Sequence, residues 1–353
     1  MILPRKPLVI PVFIPHSGCP HQCAFCNQTI ITHHPSTLPD QAAIHDIVSR
    51  YSRYKGKRDG VELAFFGGNF LGLDHPTILQ LLDLVQPYVQ TKQIDGIRFS
   101  TRPDTITRQT LDLIRPYTIS TVELGVQSMN DAVLSHSKRG HTSSDTLTAL
   151  HQLKQTAYKI GVQVMVGLPG DTAASLFEST KIVADQAPDF ARIYPLMVLN
   201  GSLMAHWYQQ GKYTPLTLEQ SVQWVKQMVH IFEAEGVKVI RLGLQASDLM
   251  EDASMVLAGP WHPAFGHLVF SAMVYDRACR KIEVYPDHLK ARGLTLTVHP
   301  KSESRLRGDK NTNLKKLNLR YPGLGLAIRL DENMPLDQVD IGEGGGNIAG
   351  KWI

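Results

Sequence analysis

Three of the four cysteines in this 353-residue chain stand at positions 19, 23 and 26. They lie in Ile14-Pro15-His16-Ser17-Gly18-Cys19-Pro20-His21-Gln22-Cys23-Ala24-Phe25-Cys26-Asn27-Gln28. Gaps of three and two residues let one short loop present three thiolates to one face of a cubane iron–sulfur cluster. Thiolates are the soft donors that iron and sulfide favour, and a missing fourth cysteine leaves one iron open to a further ligand. The competing chemistry is zinc, which takes cysteine and histidine tetrahedrally and would use the three cysteines with His16 or His21. Zinc sites of that kind usually come as two ligand pairs separated by about a dozen residues or more. Here the ligands share one loop, so spacing favours the cluster.

Further candidates fall at the ends of predicted strands. In Phe65-Phe66-Gly67-Gly68-Asn69-Phe70 the paired glycines let the backbone come close to a ligand with its carbonyls exposed, which suits an ammonium group. An ordinary strand-to-helix turn reads equally well there. Ser100 and Arg102 end the next predicted strand. In Glu123-Leu124-Gly125-Val126-Gln127 alternation points Glu123, Gly125 and Gln127 to one side. If that side is a barrel lumen, a carboxylate and an amide face ribose hydroxyls or substrate; unpaired they would cost on the order of several kcal/mol. A surface-facing strand at a barrel gap is the alternative. Arg139 suits a carboxylate through a charge-assisted fork, a weak signal by itself, and the apolar run into Gly167 and Leu168 suits a flat ring but as a bare pattern is only a turn.

Apolar, β-branched runs at Leu8 to Ile14, Val61 to Phe66, Ile97 to Ser100, Thr121 to Gln127, Val162 to Gly167, Ala191 to Val198 and Val237 to Leu242 are separated by stretches with apolar residues at helical spacing. Repeated βα units predict a parallel sheet that closes wholly or partly into a barrel, with its chemistry at the C-terminal strand ends. After about Gln245 the rhythm fades, which predicts domains at 1–245 and 246–353, the second a smaller α+β accessory region. The Glu343-Gly344-Gly345-Gly346-Asn347 tail is too glycine-rich for a regular element.

Composition excludes several classes. Hydrophobic content of 43% and charged content of 19% are those of an ordinary globular chain, and no apolar run reaches the roughly 18 residues of a membrane span. Arg5 and Lys6 before Leu8 to Ile14, with Ser17-Gly18-Cys19 after it, loosely match a lipoprotein signal, but Pro7, Pro11 and Pro15 interrupt the run. A cytoplasmic location without membrane contact is expected. Net charge is +4, yet from Arg277 to Arg320 twelve Lys and Arg face four Asp and Glu. Such a segment suits RNA or another polyanion, or is simply a solvated basic face.

The cysteine spacing, with an aromatic at Phe25 before the last thiol, resembles the radical S-adenosylmethionine (SAM) superfamily. That resemblance implies a partial (β/α)6-type TIM barrel, a [4Fe-4S] cluster on Cys19, Cys23 and Cys26, and SAM bound at the open iron through its amino and carboxylate groups. It also implies an external electron donor, reductive cleavage of SAM, and a 5′-deoxyadenosyl radical that takes a hydrogen atom from substrate. Gly67, Gly68 and Asn69 occupy the place of the family's Gly-Gly-Glu motif for the methionine amino group, with Asn in place of the common Glu.

Val122 to Ser128, Lys138-Arg139-Gly140-His141-Thr142 and Gly167-Leu168-Pro169-Gly170 are similar, in order as well as kind, to the Elongator catalytic-subunit branch. The likeness covers roughly residues 8–245. That branch modifies the wobble uridine of transfer RNA and carries an acetyltransferase domain, for which no acetyl-CoA pyrophosphate loop is found after Gln245. Ala258 to His267 looks like a segment of bacterial Elongator-like proteins lacking it. His262 and His267 are expected in a packed turn rather than as proton carriers, and Cys279 as a buried structural thiol rather than a hydrogen-atom donor. Two alternatives stay open: a radical SAM enzyme acting on a small molecule, like the oxygen-independent coproporphyrinogen oxidases, and a zinc-stabilised RNA-binding protein.

Overall fold

A computed structural model describes residues 7–14, 18–19, 22–27, 37–54, 56, 58–244, 255–290 and 293–344. The expected boundary at 245/246, the tail beyond Gly344, and His16 and His21 lie outside the described residues. The chain divides into two compact units, Met1–Thr217 with Met228–Trp261, and Leu218–Gln227 with His262–Ile353.

The first unit is built from the predicted βα rhythm. In chain order come β1 (Leu8–Phe13), α1 (Gln41–Ser52), β2 (Val61–Phe66), α2 (His75–Gln90), β3 (Gly96–Thr101), α3 (Arg108–Ile114), β4 (Ile119–Gln127), α4 (Asp131–His136) and α5 (Ser143–Leu153). They are followed by β5 (Lys159–Val166), α6 (Ala173–Asp185), β6 (Phe190–Pro195), β7 (Val198–Leu199), α7 (Leu203–Gln209), α8 (Leu218–Ala234, whose first part, Leu218–Gln227, belongs to the second unit), β8 (Lys238–Leu242) and β9 (Val256–Ala258). Seven strands pair in the order β1-β2-β3-β4-β5-β6-β8, every pair parallel. The sheet curls into the half-barrel that the resemblance implies. The predicted run Ala191 to Val198 is two strands: β6 stops at Pro195, which has no N–H for a ladder, and β7 pairs antiparallel with β9 instead.

Side-chain acceptors open the crossover helices. Asp40, Asp74, Thr107, Asn130, Thr142, Thr172 and Ser202 each accept backbone N–H bonds from the first turn that follows. These caps satisfy amides that no intrahelical carbonyl can reach. They also fix where each strand's C-terminal loop turns into its helix. Outside the strands Phe70 stacks between Phe65 and Phe99, at 5.1 and 4.6 Å between ring centroids.

Parallel strands covered on both faces usually read as unbroken apolar runs, and a charged residue interrupts each of β2, β3, β4 and β6. Glu62 of β2, Arg98 of β3, Glu123 of β4 and Arg192 of β6 meet as one buried set. Arg98 Nη2 lies 2.9 Å from Glu62 Oε2, its Nη1 lies 3.4 Å from Glu123 Oε1, and Arg192 Nε lies 2.7 Å from Glu123 Oε2. Gln163 Nε2 donates to Glu123 Oε2 at 3.0 Å and to Ser100 Oγ at 3.2 Å. Alternating charge is what makes such a plug tolerable where water is absent.

The second unit holds α9 (Phe265–Val284), β10 (Leu294–Val298), α10 (Glu303–Arg307), α11 (Thr312–Arg320), β11 (Leu326–Leu330) and β12 (Val339–Glu343). Its sheet runs β11-β10-β12, with β10 parallel to β11 and antiparallel to β12. Cys279 sits in its core among Val274, Ile282, Leu296 and Leu317, as a structural thiol. His262 accepts the Ala264 N–H at 3.1 Å, a turn contact. Among the described residues no helix is long and apolar enough to cross a membrane.

Candidate active site

The loop after β1 is tied down from several sides. Ile14 N donates to Phe66 O at 2.8 Å, Ala24 N to Ser137 O at 2.9 Å, and Met204 N to Ala24 O at 2.9 Å. Asn27 Nδ2 donates to Asn200 O at 2.8 Å. Ala24 is buried with Val133, Leu168, Leu196 and Met204, and Phe25 packs against that cluster. Cys19, Cys23 and Cys26 all sit on this anchored loop, and none forms a disulfide. The aromatic before the last cysteine thus acts as an apolar anchor for the ligand loop.

Asn69 is the central tether. Only 1% of it is exposed. Its Nδ2 donates to Gly18 O at 2.7 Å, while its Oδ1 accepts from Thr101 Oγ1 at 2.8 Å, Arg102 N at 3.0 Å and Thr105 Oγ1 at 3.1 Å. Gly18 approaches so closely that a Cβ there would lie 2.6 Å from Asn69 O and 2.8 Å from Leu73 N, and its φ of +87° is one L side chains rarely adopt. The Asn69 side chain therefore joins the cysteine loop to the ends of β2 and β3, with its Oδ1 and one Nδ2 hydrogen engaged within the protein. Gly67 and Gly68 remain in the turn beside it.

Arg102 is likewise occupied. It is 2% exposed, grips Asp104 through Nε and Nη2 at 2.9 Å each, and donates from Nη1 to Arg139 O at 2.6 Å. Arg139, 8% exposed, donates from Nη1 to Cys23 Sγ at 3.3 Å and from Nη2 to Gly125 O at 2.8 Å. The absence of a side chain at Gly125 makes room for it, since a Cβ there would lie 2.7 Å from Arg139 Nη2. Burial pushes the Cys19 thiol up, against the pull of the Arg139 and Arg102 charges. Burial first, then the charges of Arg139 and Arg102, pushes His141 down to about 4. With its Nε2 at 3.2 Å from Val126 O, His141 is therefore a neutral donor there.

The ligand-facing expectations divide. Glu123 is enclosed by Arg98, Arg192 and Gln163, which pair its carboxylate within the protein. Ser100 takes the Gln163 amide. Gln127 follows a register shift between Gly125 and Gln127 and has φ +68°, so simple alternation ends at Gly125. The Gln127 side chain still returns to the Gly125 face, and its buried Oε1 has no partner. Gly167 O accepts from Tyr213 Oη at 2.6 Å, and Leu168 lies in the apolar cluster that holds Phe25. Glu62, Arg98 and Gln163 were not anticipated as partners; a single charged or amide residue inside an otherwise apolar strand stretch was their signal.

The donor set fits an iron–sulfur cluster. Three thiols share one anchored loop, a buried guanidinium faces one of them, and a buried amide oxygen stands unpartnered on the same strand as the guanidinium's acceptor. Among the described residues no three His, Cys, Asp or Glu side chains are gathered as one metal ion needs them. A cubane takes one thiolate per iron corner and does not ask for that convergence.

Comparison with known proteins agrees. The profile of the Radical SAM superfamily matches residues 13–181, and that of the Radical_SAM C-terminal domain matches residues 188–275. The chain belongs to the radical SAM superfamily of enzymes. Members of this superfamily use a [4Fe-4S] cluster and SAM. The chain is 27% identical over 233 residues to an uncharacterized protein of Methanocaldococcus jannaschii, covering 63% of this chain and 70% of that one. It is 27% identical over 230 residues to a tRNA uridine(34) acetyltransferase of Dehalococcoides mccartyi, covering 56% of this chain and 50% of that one. It thus spans about half the length of that curated relative. Among solved structures the fold matches Elp3 of Methanocaldococcus infernus with a TM-score of 0.62 and 21% identity, covering 76% of this chain and 63% of that one. Within the superfamily the likeness runs to the Elongator-like branch.

Proposed function

We propose that this radical SAM enzyme reductively cleaves SAM at a [4Fe-4S] cluster on Cys19, Cys23 and Cys26 and directs the resulting radical chemistry at RNA. The observation that carries the reading is the anchored loop of three cysteines, none in a disulfide, with a buried arginine on the sulfur of Cys23. The cluster and SAM together supply a hydrogen-abstracting radical once an external one-electron donor has acted. The chain's own residues hold and shield them. Gly67 and Gly68 offer backbone carbonyls to the SAM ammonium group, Gln127 offers its unpartnered Oε1 to a hydroxyl, and Gly167 and Leu168 flank the adenine. Asn69, Arg102 and Glu123 position those groups from behind. In this reading residues 1–245 carry the catalysis and residues 246–353 the substrate contacts.

The RNA part rests on the tRNA-modifying relative and on charge. In the 277–320 segment Arg305 is neutralised by Asp337, Arg307 by Glu303 and Arg320 by Glu283. Arg280, Lys301, Lys310, Lys315 and Lys316 stay exposed. Exposed lysines at that density suit phosphates, whose displaced counterions make such binding fall steeply with salt.

The test is anaerobic reconstitution with iron and sulfide, then reduction with SAM present, following 5′-deoxyadenosine in the wild type and in Cys23→Ala. Product lost in the variant supports the reading; a wild type that binds one zinc and no iron refutes it. For the RNA part, transfer RNA binding that weakens with salt and with Lys315→Glu/Lys316→Glu supports it. Binding that ignores both, or no binding, turns the assignment to a small molecule.

A further inference from the structure

We infer that Arg139 sets the reduction potential of the cluster, by holding a buried positive charge against the sulfur of Cys23. The inference rests on the cluster assignment made above and adds a role for a residue that touches a ligand sulfur rather than an iron. Arg139 and Arg102 are both buried beside the cysteine loop, yet their charges are handled differently. Arg102 is neutralised in a two-point grip on Asp104. Arg139 has no carboxylate partner among the described residues, and its Nε is buried without one. A buried guanidinium left in that condition is costly unless an anion arrives beside it. Its Nη1 points at Cys23 Sγ at 3.3 Å, which becomes an anion when that thiol ligates iron.

The guanidinium is held there on purpose-built geometry. Its Nη2 is fixed on Gly125 O, its own backbone carbonyl takes the Arg102 Nη1 bond, and its backbone N donates to Leu134 O at 2.9 Å. Only glycine at position 125 leaves it space. Reduction takes the cluster core from 2+ to 1+ with one electron from a low-potential external donor; no proton moves and no bond breaks. The electron deepens the negative charge of the cluster and its thiolates by one. A fixed cation in a site screened from water lowers the energy of that more negative state, and hydrogen bonds to ligand sulfur act in the same sense. Arg139 therefore makes the cluster easier to reduce.

The experiment is a redox titration of the reconstituted full chain without SAM, following the electron paramagnetic resonance signal of the reduced cluster in wild type, Arg139→Gln, Arg139→Lys and Gly125→Ala. Iron content and far-ultraviolet circular dichroism are measured on each. Arg139→Gln is expected to lower the reduced-to-oxidised ratio at a given potential about tenfold, a shift of ~59 mV to more negative potential for a one-electron couple. Arg139→Lys keeps the charge without the two-point grip and is expected to shift less. Gly125→Ala displaces the guanidinium without deleting it and is expected to shift in the same direction, which carries the test should Arg139→Gln fail to take up four irons. A midpoint unchanged in the variants that hold the cluster overturns the inference. Unchanged potential with weakened SAM binding would assign Arg139 to the SAM carboxylate instead. A wild type without a four-iron cluster sinks the underlying reading as well, and the iron content tells the two failures apart.

Discussion

The side-chain amide of Asn69 donates to the carbonyl oxygen of Gly18 at 2.7 Å, joining residues 51 positions apart one step before the first cysteine. The same side chain accepts three bonds from the end of β3 and the turn after it. Asn69→Ala leaves the Arg102 N–H and two hydroxyls without that acceptor in a dry site. It is expected to cost about 2–4 kcal/mol, given roughly 1–3 kcal/mol for each buried group left unpaired. Urea unfolding reads the stability, and iron retained after gel filtration reads the loop. A loss under about 1 kcal/mol with full iron retention would mean that water replaces the amide and that Asn69 is no tether.

Gly18 separates two penalties that are usually confounded. Gly18→Ala meets both a strained φ of +87° and a Cβ 2.6 Å from Asn69 O, whereas Gly211, at φ +69°, has nothing within 4 Å of its built Cβ. Gly211→Ala is expected to cost about 1–2 kcal/mol, the left-handed penalty alone. Gly18→Ala is expected to exceed it, because backbone on both sides must give, and to lower cluster occupancy. Equal losses in thermal unfolding would show that the loop relaxes freely around position 18.

How far the sequence is legible depends on which forces act locally. Strand positions followed from β-branched runs, and β2 occupies the predicted Val61–Phe66, because burial on both faces leaves a pattern that one segment carries by itself. The cysteine triplet was legible for a similar reason: ligand type and spacing sit in eight residues. Asn69, Arg102 and Glu123 were correctly placed at strand ends or in a strand, yet their partners come from Gly18, Arg139 and Arg192, residues remote in sequence. Nothing at position 123 alone tells whether a carboxylate faces a ribose or two arginines. Pro195 split one predicted strand into two because a missing N–H outweighs apolar continuity.

Glu123 makes the lumen plug testable. Glu123→Gln removes the carboxylate paired with Arg192 and leaves Arg98 with Glu62. Breaking one side of a buried pair costs about 3–5 kcal/mol, while replacing both sides with apolar groups is often neutral. The single variant is expected to lose stability on that scale in urea, and Glu123→Leu/Arg192→Met to recover much of it. If the double variant falls by the sum of the single losses, the two side chains are not coupled and the plug is not a unit.

His141 supplies a pH signature of its own. Burial, reinforced by Arg139 and Arg102, pushes it down to about 4 from an ordinary 6.5, so the folded chain keeps it neutral where the unfolded chain would protonate it. The unfolded state then binds the extra proton, and stability is lost as pH falls through 6.5, with the loss levelling off once pH passes below about 4. The full loss amounts to about 3 kcal/mol at 1.36 kcal/mol per unit. His141→Gln keeps a donor for Val126 O and has no proton to take up, so its stability is expected to change less between pH 7 and pH 4 than that of the wild type. The difference between the two curves isolates His141 from every other titrating group. Curves that run parallel through that window would mean that His141 is protonated as readily in the folded chain as in the unfolded one, and that neither its burial nor the two arginines weigh on it as the geometry requires.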